Sequence, residues 1–146
     1  MAEQRRRRRL SALPRVADYR SNGELSRARF EQIVARALDT LPPEIQSQMQ
    51  NVEVVVAERP TAAELREAGL GPNESMYGFY RGVPLTDRTS SYGFALPDKI
   101  SIYRQTLLED FRTDRELLRE IRRTVVHEIA HHFGIDDDRL TELGYQ

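Results

Sequence analysis

The residues best suited to do chemistry lie close together near the end of the sequence. All three histidines fall within residues 127–132, HEIAHH. On a helix, His127 and His131 are one turn apart on the same face, so both imidazoles can bind one zinc ion at about 2.0–2.1 Å. Glu128 lies at the edge of that face. Two histidines at this spacing, with a glutamate after the first, indicate metal-assisted hydrolysis with the glutamate as general base.

Helical phase places this motif beside a buried surface. At about 100° per residue, His127, Glu128 and His131 fall together next to an apolar arc. The interpretation as exposed surface histidines leaves the glutamate unexplained. His132 falls inside the apolar arc, and we interpret it as a packed histidine that donates one hydrogen bond, the other interpretation being an alternative ligand. The arc consists of Leu117, Leu118, Ile121, Val125, Ile129 and Phe133.

A third ligand is expected just after the helix. A catalytic zinc site needs three protein ligands and an open position for water. Gly134 can end the helix in the left-handed conformation and reverse the chain, and Asp137, three residues later, can then offer a carboxylate oxygen. The neighbours Asp136 and Asp138 leave this assignment open. Any of the three aspartates could instead cap a short helix that residues 139–143 indicate.

The rest of the pattern predicts an α+β domain. Helices precede a strand, a further helix, more strands and a final long helix, which is not the alternation of a βαβ fold. We expect three or four strands in one short mixed sheet. The predicted elements are a helix from about Glu24 to Leu41, a short helix from Pro43, a strand over 51–58, a short helix from Thr61 to Ala68, strands over 76–80 and 100–103, and a helix over 114–133.

The beginning of the chain differs from the rest. Residues 1–20 carry seven arginines against Glu3 and Asp18, and Arg5–Arg9 are consecutive. Blocks of like charge repel themselves and are typically disordered, so we predict a disordered Arg-rich tail over residues 1–22 and one domain over 23–146. The run could bind nucleic acid or an acidic partner, but no aromatic residues interleave it as base stacking requires. We therefore expect no nucleic-acid partner.

Composition excludes several classes of protein. The sequence has no cysteine, which excludes disulfide scaffolds, thiolate metal sites and cysteine nucleophiles. The net charge of -1 gives no bulk attraction to nucleic acid or membranes. No stretch approaches the roughly 18 apolar residues of a membrane helix, and no apolar region follows Arg5–Arg9 as an export signal requires. A cytoplasmic protein is the expectation, and the sequence gives no oligomeric state.

Three segments carry a resemblance to a known family. These are HEIAHHFGIDDDRL at 127–140, YRGVPL at 80–85 and LPDKISIY at 96–103. Over about residues 28–146 the chain resembles the small bacterial zincin-like metallopeptidases described as a minimal zincin fold. The resemblance implies an α+β fold with a short mixed sheet packed on an active-site helix, and peptidase activity. It also implies metal positions at His127, His131 and Asp137 and a catalytic position at Glu128. The methionine turn of the larger metzincins is missing.

The function that we predict is zinc-dependent hydrolysis of a peptide or protein substrate, with Glu128 as general base. The substrate would lie extended along the Met76–Tyr80 segment and add a strand, although this segment could equally be an ordinary buried strand. Tyr145 or Arg139 could stabilise an oxyanion, but packing is the simpler role for each.

Two other functions compete with this prediction. One is a catalytically weak or inactive binding module whose zinc ion only stabilises the last helix. The other, less favoured, is a metal-dependent ribonuclease, to which the arginine run lends some support. An open fourth position on the metal indicates catalysis, whereas a closed site indicates a structural role.

Overall fold

The fold contains short helices, one long helix and a small sheet. The structure is a computed structural model and describes residues 8–9, 25–82 and 96–145. In chain order the elements are β1 (Arg8–Arg9), α1 (Arg27–Asp39), α2 (Pro43–Gln48), β2 (Val52–Ala57), α3 (Ala62–Glu67), β3 (Glu74–Ser75), β4 (Gly78–Arg81), β5 (Asp98–Tyr103), α4 (Arg104–Asp110), α5 (Asp114–Phe133) and α6 (Asp137–Glu142). The predicted α+β class is confirmed.

The main sheet has three strands in the order β2-β5-β4. The central strand β5 is parallel to β2 and antiparallel to β4, with Ile100 opposite both Val54 and Tyr80. The sheet is therefore mixed, as predicted. Among the described residues no strand pairs with the second edge of β4, which we call the outer edge. A separate two-stranded ladder pairs β1 with β3.

Local sequence signals explain where α5 begins and ends. Thr113 and Glu116 form a capping box, in which each side chain accepts a hydrogen bond from the other residue's backbone N–H. At the other end Gly134 has φ 71° and ψ 26°, the left-handed conformation that favours glycine. The predicted bounds of this helix, 114 and 133, are confirmed.

Helix α5 lies between α1 and the sheet. It contacts α1 and α2 on one side and β4 and β5 on the other. Burial of apolar surface is the main stabilising term of such packing. The core between these elements includes Phe30, Ile33, Ile100, Ile102, Leu117, Ile121, Val125 and Ile129. A smaller core on the opposite face of the sheet contains Ala68, Leu70, Met76, Phe79 and Tyr103.

Helix α5 approaches the sheet very closely at Gly78 in β4. A Cβ atom at this position would lie 2.6 Å from Cγ2 of Thr124 and 3.0 Å from the carbonyl oxygen of Ser101. The first distance is shorter than real side chains show and the second is tighter than most, so any residue but glycine would force the neighbouring atoms to shift. The contact sets the distance between α5 and β4 at Thr124, which is one helical turn before Glu128.

Most predicted elements are confirmed, but helix α4 and the two-residue strands β1 and β3 were not predicted. The predictions of α1, α2, β2, α3, β4 and β5 match the structure to within a few residues. Helix α4 was not predicted, because RQTLLED follows β5 directly without a turn signal. The division into a tail over 1–22 and a domain over 23–146 stays a prediction, since the structure describes only Arg8–Arg9 of that tail.

Within the described ranges 25–82 and 96–145, no helix combines the length and the apolar composition that crossing a bilayer requires. The cytoplasmic location stays a prediction.

The close approach at Gly78 predicts that Gly78→Ala destabilises the protein by about 1–3 kcal/mol, because the added methyl group overpacks the contact. Thr124→Ser removes the nearer of the two obstructing atoms and should reduce that loss in a double-mutant cycle measured by chemical denaturation. Gly71→Ala is the control, since its Cβ would meet only Glu74 Oε1 at 3.6 Å. Equal losses for the two alanine variants would refute the steric account.

Candidate metal and catalytic site

Helix α5 carries the predicted histidines and glutamate on its last two turns. His127 is half-buried and His131 is exposed, whereas Glu128 is only 1% exposed. The helix confirms the one-turn spacing on which the prediction of the two imidazole ligands rests. Glu128 is more deeply buried than the helical phase indicated, because β4 lies against its side of α5.

A backbone group of β4 holds the Glu128 carboxylate. Glu128 Oε1 accepts a hydrogen bond from the backbone N–H of Tyr80, with an N–O distance of 2.7 Å. Residues of an antiparallel pair alternate between those that bond to the partner strand and those that face away from it. The Tyr80 N–H therefore belongs to the outer edge of β4. This bond provides a partner for a carboxylate oxygen that burial removes from water.

Sequence reasoning did not identify Tyr80 as a partner of Glu128. The residue was noted only as the end of the predicted strand and substrate segment Met76–Tyr80 and within the segment YRGVPL of the resemblance. The group that matters is its backbone N–H, which every residue except proline possesses, so no side-chain pattern could have marked it.

A second polar cluster lies beside the motif. The Tyr80 hydroxyl donates a hydrogen bond to Oδ2 of the buried Asp98, with an O–O distance of 2.5 Å. The imidazole of His132 stacks on the Tyr80 ring, with 4.0 Å between centroids and 21° between planes. Its Nε2 is 3.8 Å from Asp98 Oδ2.

The prediction that His132 packs within the apolar arc is wrong. Its side chain is 40% exposed, and its neighbour Phe133 is 41% exposed. Within the part of the chain that the structure describes, the last turn of α5 extends past the core, so the apolar arc is not covered there. His132 instead contacts Tyr80 and Phe133 through its ring.

The chain reverses after Gly134, as predicted, and a different aspartate caps the next helix. Asp136 is the N-cap of α6, and its Oδ1 accepts a hydrogen bond from the backbone N–H of Arg139 at 2.8 Å. Asp137 is the first residue of α6 and is exposed. Of the alternatives considered for the cap, the structure selects Asp136. Asp137 therefore has no capping role that would compete with metal binding.

The three predicted ligands are not grouped. Among residues 8–9, 25–82 and 96–145, no three histidine, aspartate or glutamate side chains are placed so that they could hold a metal ion. The assignment of His127, His131 and Asp137 stays a prediction. Their chemistry fits zinc, since two imidazoles on successive turns and an exposed carboxylate beyond a left-handed glycine are ligand types that zinc accepts.

Arg139 and Tyr145 have packing partners of their own. Arg139 forms hydrogen-bonded ion pairs with Glu44 and Glu142, with Nε of Arg139 at 2.8 Å from Glu44 Oε1. The hydrogen bond from Arg139 holds the pKa of the Glu44 carboxyl below its usual value. The Tyr145 hydroxyl accepts a hydrogen bond from Arg122. These contacts favour the packing role over oxyanion stabilisation for both residues.

Comparison with known proteins identifies the family of the chain. The family model described as zincin-like metallopeptidase matches residues 49–145, and the chain belongs to that family. No curated protein matches the chain. Among solved structures, a conserved hypothetical protein from Thermus thermophilus is 24% identical and has a TM-score of 0.48, with 75% of this chain and 94% of that chain covered.

The cap of α6 predicts that Asp136→Ala lowers the free energy of unfolding by about 0.5–2 kcal/mol, because the backbone N–H of Arg139 loses its partner. Asp138→Ala is the matched control. It removes only a first-turn charge and should cost about 0.3–1 kcal/mol. Thermal unfolding of both variants measures the difference, and an Asp138→Ala variant less stable than Asp136→Ala would contradict the assignment of the cap.

Proposed function

We propose that the protein is a zinc-dependent peptidase in which Glu128 is the general base. Membership of the zincin-like metallopeptidase family supports the class of enzyme. The observation that carries the proposal is the position of Glu128, which follows His127 on α5 and whose carboxylate is held at the outer edge of β4 by Tyr80. A catalytic carboxylate must be fixed in place and shielded from bulk water, and Glu128 is both.

His127, His131 and Asp137 would hold the zinc ion. When bound, zinc lowers the pKa of a coordinated water towards about 7 and polarises the carbonyl of the substrate. Because the three side chains are not grouped in the structure, we expect binding to draw the Asp137 carboxylate towards α5. Gly134, in the left-handed conformation, reverses the chain just before Asp137. The movement of Asp137 would begin at this residue.

Glu128 would move the proton. Its Oε1 is engaged by the Tyr80 N–H, so Oε2 would take a proton from the attacking water and pass it to the leaving amine. The hydrogen bond from Tyr80 would anchor one oxygen of the carboxylate during both transfers. A group held in this way needs little reorganisation, which is how a positioned base contributes to rate.

The substrate would be an extended peptide along the outer edge of β4. Main-chain hydrogen bonds to an unpartnered sheet edge are a common way to bind extended peptides. The described part of the chain leaves this edge without a strand. Its Tyr80 N–H is bonded to Glu128, so the peptide would bond to other main-chain groups of the edge. The predicted segment, Met76–Tyr80, overlaps β4, which is both buried and at the edge of the sheet.

Zinc titration tests the ligand assignment. The protein should bind one zinc ion, and Asp137→Ala should weaken binding at least about tenfold, since even indirect partners of a metal ligand have effects of that size. His127→Ala should do the same. Asp138→Ala is the matched control, because it removes a carboxylate one residue away and should leave the affinity unchanged. If the Asp137→Ala variant binds zinc as tightly as the wild type, the assignment is wrong.

Glu128→Gln tests the catalytic role separately from metal binding. The glutamine carbonyl can still accept the Tyr80 N–H bond, so the fold and the zinc affinity should be retained. Peptide turnover by the zinc-loaded protein should fall by about 10²–10⁴, the usual contribution of a general base.

Wild-type turnover in the Glu128→Gln variant would refute the role of Glu128 as base. A wild-type protein that binds zinc but cleaves no member of a peptide library would favour the binding module instead.

A further inference from the structure

A pocket lined by arginines lies on a part of α5 that the proposed chemistry does not use. It has a volume of about 660 Å³ and lies between the connection of α1 to α2, the middle of α5 and the C-terminal residues 141–145. Arg119, Arg122 and Arg123 line it, and none of the lining residues, all within the described part, is acidic. The pocket therefore concentrates positive charge in a chain whose net charge is -1.

The contacts of Arg122 leave its charge without a counterion in the described part of the chain. Its Nη2 donates to the Tyr145 hydroxyl at 3.0 Å and to the Thr40 carbonyl oxygen at 3.5 Å, and both acceptors are neutral. Its Nε is buried and has no hydrogen-bond partner there.

Six of the other described arginines are paired. Arg27, Arg29, Arg59, Arg81, Arg104 and Arg139 each form an ion pair with a carboxylate. Arg119 and Arg122 form none with the described residues, although both line one pocket with Arg123. The guanidinium groups of Arg119 and Arg122 repel each other across this space unless an anion joins them. The planar fork of each group suits the two oxygens of a carboxylate or a phosphate.

The pocket adjoins the proposed active site. Arg123 is four residues before His127 on α5, so the two lie on the same side of the helix, about 6 Å apart along its axis. An extended peptide advances about 3.3 Å per residue. A peptide that leaves the outer edge of β4 near His127 and continues along α5 would therefore need only a few residues to bring a carboxylate into the pocket.

From this arrangement we infer that the pocket binds a carboxylate of an acidic peptide substrate. The carboxylate is either an acidic side chain or the terminal carboxyl group of the peptide. The inference rests on the proposed function, because the bound peptide is a substrate only if the protein is a peptidase. The binding itself needs neither zinc nor hydrolysis. Arg119 and Arg122 would be specificity-determining residues, and they take no part in the proton transfer by Glu128.

The test measures binding of dye-labelled pentaglutamate to the full chain by fluorescence anisotropy, with C-terminally amidated pentaglutamine as the counterpart without a carboxylate. Pentaglutamate should bind more tightly than pentaglutamine. Arg119→Gln should weaken its binding about tenfold, as expected for the loss of one charged hydrogen-bonding partner. Arg66→Gln, an exposed arginine of α3 with the same change in charge, is the matched control and should have no effect.

Arg122→Gln should weaken pentaglutamate binding as well. Because Arg122 also holds Tyr145 and Thr40, this variant could lose stability. Arg119 is exposed, so Arg119→Gln should stay folded. This variant keeps the test valid if Arg122→Gln loses stability.

Two further measurements show which kind of anion the pocket binds. Pentaglutamate amidated at its C-terminus should lose affinity if the pocket takes the terminal carboxyl group, and should keep it if the pocket takes a side chain. Inorganic phosphate should compete only weakly.

Equal binding to wild type, Arg119→Gln and Arg66→Gln would overturn the inference. So would phosphate binding that depends on Arg119 while pentaglutamate does not bind. Arg119-dependent binding of pentaglutamate by a zinc-loaded protein that cleaves no peptide would refute the proposed function and leave the carboxylate pocket standing.

Discussion

The contact between α5 and β4 is the constraint on which the rest of the site depends. Gly78 has no side chain, so the helix approaches until Cγ2 of Thr124 lies against the strand backbone. One turn later, Glu128 reaches the backbone N–H of Tyr80. A longer separation would leave the buried carboxylate without this partner, at a cost of about 1–3 kcal/mol or more for a charged group. The packing at Gly78 and the hydrogen bond to Glu128 therefore require the same distance between α5 and β4.

The segment after α5 is held by interactions that do not involve the contact between α5 and β4. Gly134 ends the helix, Asp136 caps α6, and the Arg139 ion pair with Glu44 fastens α6 to α2. Asp137 lies between these anchors, and its side chain forms no part of them. The segment is thus held at both ends while an exposed carboxylate between them stays available to a metal ion. We expect this arrangement to couple zinc binding to the conformation of residues 134–137.

The same long helix serves two further purposes along its length. Its middle part presents Arg122 and its neighbours to a pocket closed by the C-terminal residues, and its end presents the histidines. Because one rigid helix carries both, the distance from the arginines to the proposed zinc ligands is fixed by helical geometry. Recognition of a substrate and its cleavage would then share a single structural element.

Features encoded by near neighbours could be predicted from the sequence, and features that depend on tertiary contacts could not. The ends of α5 follow from Thr113, Glu116 and Gly134, all of which act within a few residues. The choice of Asp136 as the cap was one of several alternatives, since adjacent aspartates carry the same signal.

The bond from Tyr80 to Glu128 joins residues 48 apart, and no local pattern reports such a pairing. The exposure of His132 was mispredicted because helical phase gives the direction of a side chain and does not show what covers it. The arginine pocket depends on three separate segments, so its lining could not be predicted from any one of them.

Anomalous diffraction at the zinc edge, from crystals of the zinc-loaded protein, is the most direct test of the central claim. The account predicts one strong peak bonded to nitrogen atoms of His127 and His131 and to a carboxylate oxygen of Asp137, at about 2.0–2.2 Å from each. It also predicts that Glu128 stays hydrogen-bonded to Tyr80 beside the metal. A zinc ion bound elsewhere, or one bound to both histidines with Glu128 turned away from β4, would contradict the account.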